Sequence, residues 1–283
     1  YVKPMEFRMR TLAGFALKGR SLNTMMSNSE IKTFVVCEDE VVTSETSSKG
    51  NQIKYRKDAV WIKQDCLGYE GLAEVVASRL AKLLGLDCVS YKPCRIHVLE
   101  TGENKLGCYS ENFIPQGSFE ITLQRLVQKC TGGSCDELLE GCNTNVYDKV
   151  NKIAEAIKNV IDKPTLTDYI GRLLYFDSLI VNEDRHWHNI TFLRDCDGKV
   201  RPAPVFDNGA SFFSDSSRDY PFELEFCYEK VKAKPFSTSF EAQAAAAHKL
   251  MKTPICTLTF ATIDYSDLEE VYDREAIARV KAV

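Results

Sequence analysis

Apolar and polar positions in this chain repeat with one rhythm in its first part and another in its second. IKTFVVCE and EVVTSE (31–45) read as short strands, and NQIKY (51–55) and AVWIK (59–63), with RKD between them, as a β-hairpin. YEGLAEVVASRLAKLLGL (69–86) has the helical period: Leu72, Val75, Val76, Leu80, Leu83 and Leu84 share one face, and Gly85 stands near its C-terminus. CRIHVLE and LGCYSENFI (94–114) predict two more strands. From about residue 115 the pattern turns helical, with VYDKVNKIAEAIKNVI (146–161) and, after Pro164, LTDYIGRLLYFDSLIVN (166–182), whose apolar face includes Tyr169, Ile170, Leu173, Leu174, Ile180 and Val181. Two strand candidates, ITFLRD and RPAPVFD, are joined by the turn signal Asp197-Gly198, and helices follow to the end. The pattern predicts an α+β fold in two lobes: residues 1–114, small and β-rich with one helix, and residues 115–283, mainly helical.

Composition narrows the classes. The length of 283 residues suits one large domain or two lobes, and 44% hydrophobic with 27% charged residues is ordinary for a globular protein. A net charge of -4 argues against nucleic-acid binding through bulk charge, and no apolar run approaches the roughly 18–20 residues that span a bilayer. The first twenty residues are basic and partly apolar but show no uninterrupted apolar run and no clear cleavage site, so no secretory leader is expected in them. Eleven cysteines, an odd count in a long chain, predict reduced thiols in a cytoplasmic protein. Cys130, Cys135 and Cys142 form the tightest cluster, but their spacing is not that of common zinc sites.

The segment VNEDRHWHNITFL (181–193) concentrates polar groups where a helix should pass into a strand. Asp184 and Asn189 are spaced D-x-x-x-x-N, and Asp207 follows in FDNG after the Asp197-Gly198 turn. Phosphoryl transfer from ATP needs a carboxylate beside the attacking hydroxyl and oxygen ligands for Mg²⁺. Asp184 fits the first need, and Asn189 with Asp207 fits the second. Gly209 would let the backbone turn after the metal ligand. The first lobe should then supply a phosphate-binding lysine and a carboxylate to hold it. Lys63 ends a strand and Glu74 lies on the next helix, with Glu70, one turn earlier, as the rival. SETSSKGN (44–51) would cover the phosphates through backbone N–H groups and serine hydroxyls, naming Ser47, Ser48 and Gly50, although it is no G-x-G-x-x-G. The chain after the last strand, Glu111, Asn112 and Phe113, would meet the adenine edge. Arg185 and His186 read as scaffold, and Asp177 as a structural carboxylate anchoring Arg185. A metal pair of His186 and His188 lacks a third ligand nearby.

These motifs resemble those of the HipA-like kinases, especially their compact CtkA-type bacterial branch. NEDRHWHN followed by FDNG is similar to that family's catalytic and metal motifs, and YEGLAEVVASRLAKLLGL to its glutamate-bearing helix. SSKGNQIKYRKDAVWIK is similar to its serine loop and lysine strand, so the resemblance covers roughly residues 44–215. It implies a bilobal protein-kinase-like fold, ATP with Mg²⁺, and phosphorylation of protein serine or threonine, often on the kinase itself. Asp184 then resembles the base, Asn189 and Asp207 the metal ligands, and Lys63 the ATP lysine. Asn208-Gly209 departs from the leucine-containing segment of the HipA toxins, and no copy of their extra N-terminal domain is evident, so their substrate and antitoxin partner are not carried over. Ser47 or Ser48 is a candidate for autophosphorylation, against the plainer reading of an ordinary Ser-rich loop. The rival functions are a lipid or small-molecule kinase with a similar loop, and a nucleotide-binding pseudokinase that acts as a partner module.

Overall fold

The computed structural model describes residues 30–42, 52–142, 144–255 and 263–283. Ser47, Ser48 and Gly50, and with them the loop expected over the phosphates, lie outside the described residues. Residues 31–283 form one compact unit of mixed α/β character.

A five-stranded sheet opens the fold. Its strands are β1 (Lys32–Val36), β2 (Lys54–Lys57), β3 (Val60–Gln64), β4 (Lys92–Val98) and β5 (Asn104–Glu111), in the order β1-β4-β5-β3-β2. Only the β1–β4 pair is parallel. The β2–β3 hairpin is longer than the sequence pattern predicts: Arg56 and Lys57 are in the strand, and the turn is Asp58-Ala59, with Asp58 at φ 51°. Asp tolerates that left-handed conformation better than most side chains. The predicted strand 40–45 is replaced, as far as it is described, by a short 3-10 turn (Glu38–Glu40) and a single bridge from Val41 to Tyr55.

Strand alternation decides what faces where. Ile62 packs with Val36, Tyr55, Cys94, Ile96 and Val98 in a cluster on one face of the sheet. Its neighbour Lys63 must point to the opposite face, and Lys54, directly across from Lys63 in the ladder, shares that face. Helix α1 (Glu70–Leu83) covers this side. It is buried nearly all round at Leu72, Ala73, Val75, Val76 and Ala77, because it sits in the main core with residues of the later helices. Leu83, expected on the buried face, is exposed. Gly85, at φ 68°, ends the helix as its position predicts. Glycine allows close approach at two places: a Cβ on Gly71 of α1 would stand 2.7 Å from the Gly107 carbonyl carbon, and one on Gly107, on the Ile96 face of the sheet, 2.1 Å from the Lys63 carbonyl oxygen of β3.

The rest is helical around a second small sheet. Strand β6 (Phe119–Thr122), which the sequence pattern did not predict, leads into α2 (Leu123–Thr131) and α3 (Cys135–Leu139). Helix α4 (Val146–Ala156) ends earlier than predicted, and α5 (Lys163–Ile180) starts earlier, because Asp162 caps it by accepting from Thr165 N–H and Pro164 fits its first turn. Strands β7 (Thr191–Arg194) and β8 (Val200–Pro202) join β6 in the order β6-β7-β8. The predicted RPAPVFD strand stops at Pro202, and Val205 makes only a bridge to Cys88. Helices α6 (Leu224–Lys230), α7 (Phe240–Leu250) and α8 (Arg274–Ala282) complete the chain. One hydrophobic core crosses the expected 114/115 boundary, joining Leu72 and Val76 of α1 to Ile153, Ile170 and Leu174 of the helical part.

Candidate active site

A cleft of ≈ 340 Å³ lies between the α1 side of the five-stranded sheet and the loops around β7 and β8. Lys54, Lys63, Ser110, Asn112 and Phe113 line it on the sheet side. Asp184, His186, His188, Asn189 and Asp207 line it on the loop side. Four elements far apart in sequence therefore converge.

The sheet side is an ion-pair relay. Lys63, 6% exposed, is bonded through its ammonium to Glu74 Oε1, and Glu74 is 0% exposed. The same ammonium lies 2.6 Å from Asp207 Oδ1, and 5.0 Å from the centre of the Tyr91 ring. The second Glu74 oxygen accepts from Asn208 N–H at 2.9 Å. Glu74 thus ties the lysine strand to the FDNG loop. Glu70 is otherwise engaged: it accepts from the N–H groups of Cys66, Leu67 and Gly68 where α1 begins. Breaking a buried pair of this kind leaves an uncompensated charge, at a cost of about 3–5 kcal/mol.

Lys54 was not singled out by the sequence. Its ammonium sits 3.4 and 3.5 Å from the two Asp207 oxygens. Burial works against ionisation of Asp207, but Lys54, Lys63 and Arg185 outweigh it and hold the carboxyl well below the usual range. Lys63 is shifted the other way: burial opposes its charge, while Asp207 and Glu74 keep it firmly protonated.

The loop side is organised by Arg185, which is fully buried. It donates to both Asp177 oxygens at 2.9 Å, to the Phe206 carbonyl at 2.8 Å, to the Asn189 carbonyl at 3.3 Å and to Asn208 Oδ1 at 2.7 Å. One guanidinium fork therefore fixes the loop 182–189 to α5 and to the FDNG segment, which satisfies the expectation that Asp177 anchors Arg185. Asp184 N–H donates to Asn182 Oδ1 at 3.1 Å, and Asn189 Nδ2 to the Asp184 carbonyl at 3.4 Å. That commits the nitrogen end of the Asn189 amide and leaves its oxygen for a ligand. Lys234 Nζ, from the chain after α6, lies 2.8 Å from Asp184 Oδ1. Nothing local in the sequence pointed to it.

His186 Nδ1 accepts from His188 N–H at 3.2 Å, and burial, against the pull of Asp184 and Asp207, pushes the imidazole below its ordinary value. That bond ties His186 into the loop, in keeping with the scaffold part its place in the motif suggests. Its ring centre is 5.8 Å from that of His188, and no cluster of three His, Cys, Asp or Glu suited to a metal occurs among the described residues. Trp187 turns away from the cleft's chemistry: its Nε1 donates to Asp136 at 2.9 Å, and its ring stacks edge-on against Phe236 at 4.9 Å.

The backbone is strained around the loop. Val181, Asp207, Phe212 and Phe213 have φ between 54° and 58°, a region costly for side chains with a Cβ. The turn expected at Gly209 is made at Asp207 itself; Gly209 has no positive φ, and a Cβ there would meet only ordinary contacts. The expected adenine edge is altered too. Asn112 N–H donates to the Ala59 carbonyl at 2.7 Å, and Glu111 is exposed at the end of β5 and does not line the cleft.

No protein-family model matches the chain, and neither does any curated protein sequence. Solved structures match it at low identity. The crystal structure of the Helicobacter pylori proinflammatory kinase CtkA is 18% identical, with 72% of this chain and 71% of that one covered at a TM-score of 0.48. Shewanella oneidensis HipA, solved with HipB and operator DNA, is 13% identical, with 99% and 68% covered at a TM-score of 0.38. Among the described residues no helix is long and apolar enough to cross a membrane.

Proposed function

We propose that this chain is an ATP- and Mg²⁺-dependent kinase that phosphorylates serine or threonine of protein, itself included. The observation that carries the reading is the Lys63–Glu74 pair reaching Asp207 on the far side of a cleft that Asp184 and Asn189 also line. A phosphoryl-transfer site needs those five groups together and little other covalent chemistry.

The residues suit the nucleotide and the ion. Phe113 and Phe206, with ring centres 5.3 Å apart, give an apolar wall for a base, and main-chain groups of Glu111 or Phe113 would have to serve its edge, because Asn112 N–H is taken. Lys63 and Lys54 would hold phosphate oxygens. Asp207, kept ionised, and the Asn189 amide oxygen are hard donors of the kind Mg²⁺ prefers, and the ion when bound neutralises phosphate charge. Asp184 is positioned to take the proton of the attacking hydroxyl as its oxygen bonds to the γ-phosphorus and the bond to the ADP oxygen breaks.

The test is incubation of the purified protein with γ-labelled ATP and Mg²⁺, alone and with serine-rich acceptor proteins, followed by mass-spectrometric mapping with Ser47 and Ser48 among the first sites to inspect. Label on serine or threonine is expected from wild type and none from Asp184→Ala, which should still bind ATP·Mg²⁺. Binding without transfer by the wild type would favour the pseudokinase reading, and label on lipid or small acceptors alone the small-molecule reading.

A further inference from the structure

We infer that Lys234, from a loop fifty residues beyond the Asp184 motif, supplies the cation that the motif itself lacks and acts on the transferring phosphoryl group; this rests on the kinase reading above. In phosphoryl transfer the charge to be stabilised spreads over the oxygens of the moving group, and a fixed cation beside the base is worth more there than in the ground state. The candidates on the loop side can be taken in turn. Arg185 is fully buried, and its donors are spent on Asp177, Asn208 and two carbonyls. His186 is tied into the loop, its Nδ1 accepting from His188 N–H and its carbonyl from Asn189 N–H. On the opposite wall, Lys63 is engaged by Glu74 and Asp207, and Lys54 by Asp207. Residues 182–189 contain no lysine. Arg218 also lines the cleft but pairs with Asp219, whereas Lys234 sets its ammonium 2.8 Å from Asp184 Oδ1, and its side chain is 39% exposed, so it can also meet an incoming group.

The surroundings hold that ammonium in place. Two residues on, Phe236 is buried; its ring packs edge-on against Trp187 of the catalytic loop, and its N–H donates to Gln243 of α7 at 3.2 Å. Its carbonyl accepts from Lys149 of α4 at 3.0 Å, and Ala233, on the other side of Lys234, bonds to Thr238. Trp187 is itself fixed by Asp136. The aromatic residue in the middle of D-R-H-W-H-N thus has a task that the motif alone does not reveal: it docks the 233–238 loop, so that Lys234 and Asp184 keep a fixed spacing.

Full-length wild type, Lys234→Met and Lys234→Arg would be compared in three measurements: turnover with labelled ATP, affinity for ATP·Mg²⁺, and the gain in affinity for ADP·Mg²⁺ when aluminium fluoride, a mimic of the moving phosphoryl group, is added. Lys234→Met is expected to lose turnover by on the order of a hundredfold and to lose the aluminium fluoride gain by a similar factor, with ATP·Mg²⁺ affinity and melting temperature unchanged. Lys234→Arg should recover part of both. Unchanged turnover in Lys234→Met overturns the inference, as does a parallel fall in ATP affinity and melting temperature, which would mark a structural role. A wild type that neither transfers phosphate nor gains affinity from aluminium fluoride removes the kinase reading, and this inference with it.

Discussion

Asp207 is the residue on which the site's charges meet. Two ammonium groups, on adjacent strands and directly across the ladder from one another, would repel if no anion stood between them. Asp207 occupies that position, in a left-handed conformation that points its carboxylate back at both. Its folded-state pKa is depressed, so its ion pairs stabilise the fold above the ordinary carboxylate value and lose that contribution as pH falls. Asp207→Asn is therefore expected to melt below wild type at pH 7, with the gap narrowing as pH drops under about 4. Melting curves of both proteins across that range check this, and a gap independent of pH would mean that the pairs carry no net stability.

At the scale of elements, the site depends on how closely α1 lies on the sheet. Glycine at 71 lets the helix backbone approach β5, glycine at 107 lets β5 lie against β3, and Glu74 comes within reach of Lys63. Gly107→Ala places a methyl against the Lys63 carbonyl, 2.1 Å away in the unrelaxed structure, so the β3–β5 pair must part. A loss of about 1–3 kcal/mol is expected from denaturant unfolding. Nucleotide affinity should weaken as well, because the displaced strand carries Lys63; a stability loss with unchanged affinity would show that the lysine tolerates the shift. Glu74 rather than Glu70 pairs with Lys63 for an elemental reason too: Glu70 opens the helix, and its carboxylate turns back to the N–H groups of the preceding Leu67 and Gly68.

Across the whole molecule, the cleft is walled by β2, β3, the chain after β5 and the loops on either side of the β7–β8 hairpin, so a ligand there links the sheet to the helical part. A ligand that binds only the folded state raises stability by mass action. At a hundred times its Kd, ATP·Mg²⁺ should add about 2.7 kcal/mol, or roughly 5–10 °C in Tm. Differential scanning with ATP, with Mg²⁺ and with both measures this, and the part that needs both should vanish in Asp207→Asn. Absence of any shift at millimolar ATP·Mg²⁺ would remove the nucleotide from the reading.

The local sequence was enough for whatever depends on short range. The D-R-H-W-H-N run and FDNG lie beside a helix end and a turn signal, and strand alternation puts Lys63 opposite Ile62 without any tertiary information. The amphipathic period of α1, and Gly85 at its end, were legible for the same reason: hydrogen bonding and side-chain direction in these elements span only a few residues. The tertiary structure alone decided the rest. Lys54 joins Asp207 because of strand register and a 153-residue closure, and Lys234 meets Asp184 because Trp187 finds Phe236. β6 has an exposed phenylalanine and a half-buried edge, so no alternation announces it; pairing with β7 makes it a strand. The turn moved from Gly209 to Asp207 because the ion pairs and the Arg185 fork hold that backbone in a conformation that local propensity would have given to glycine.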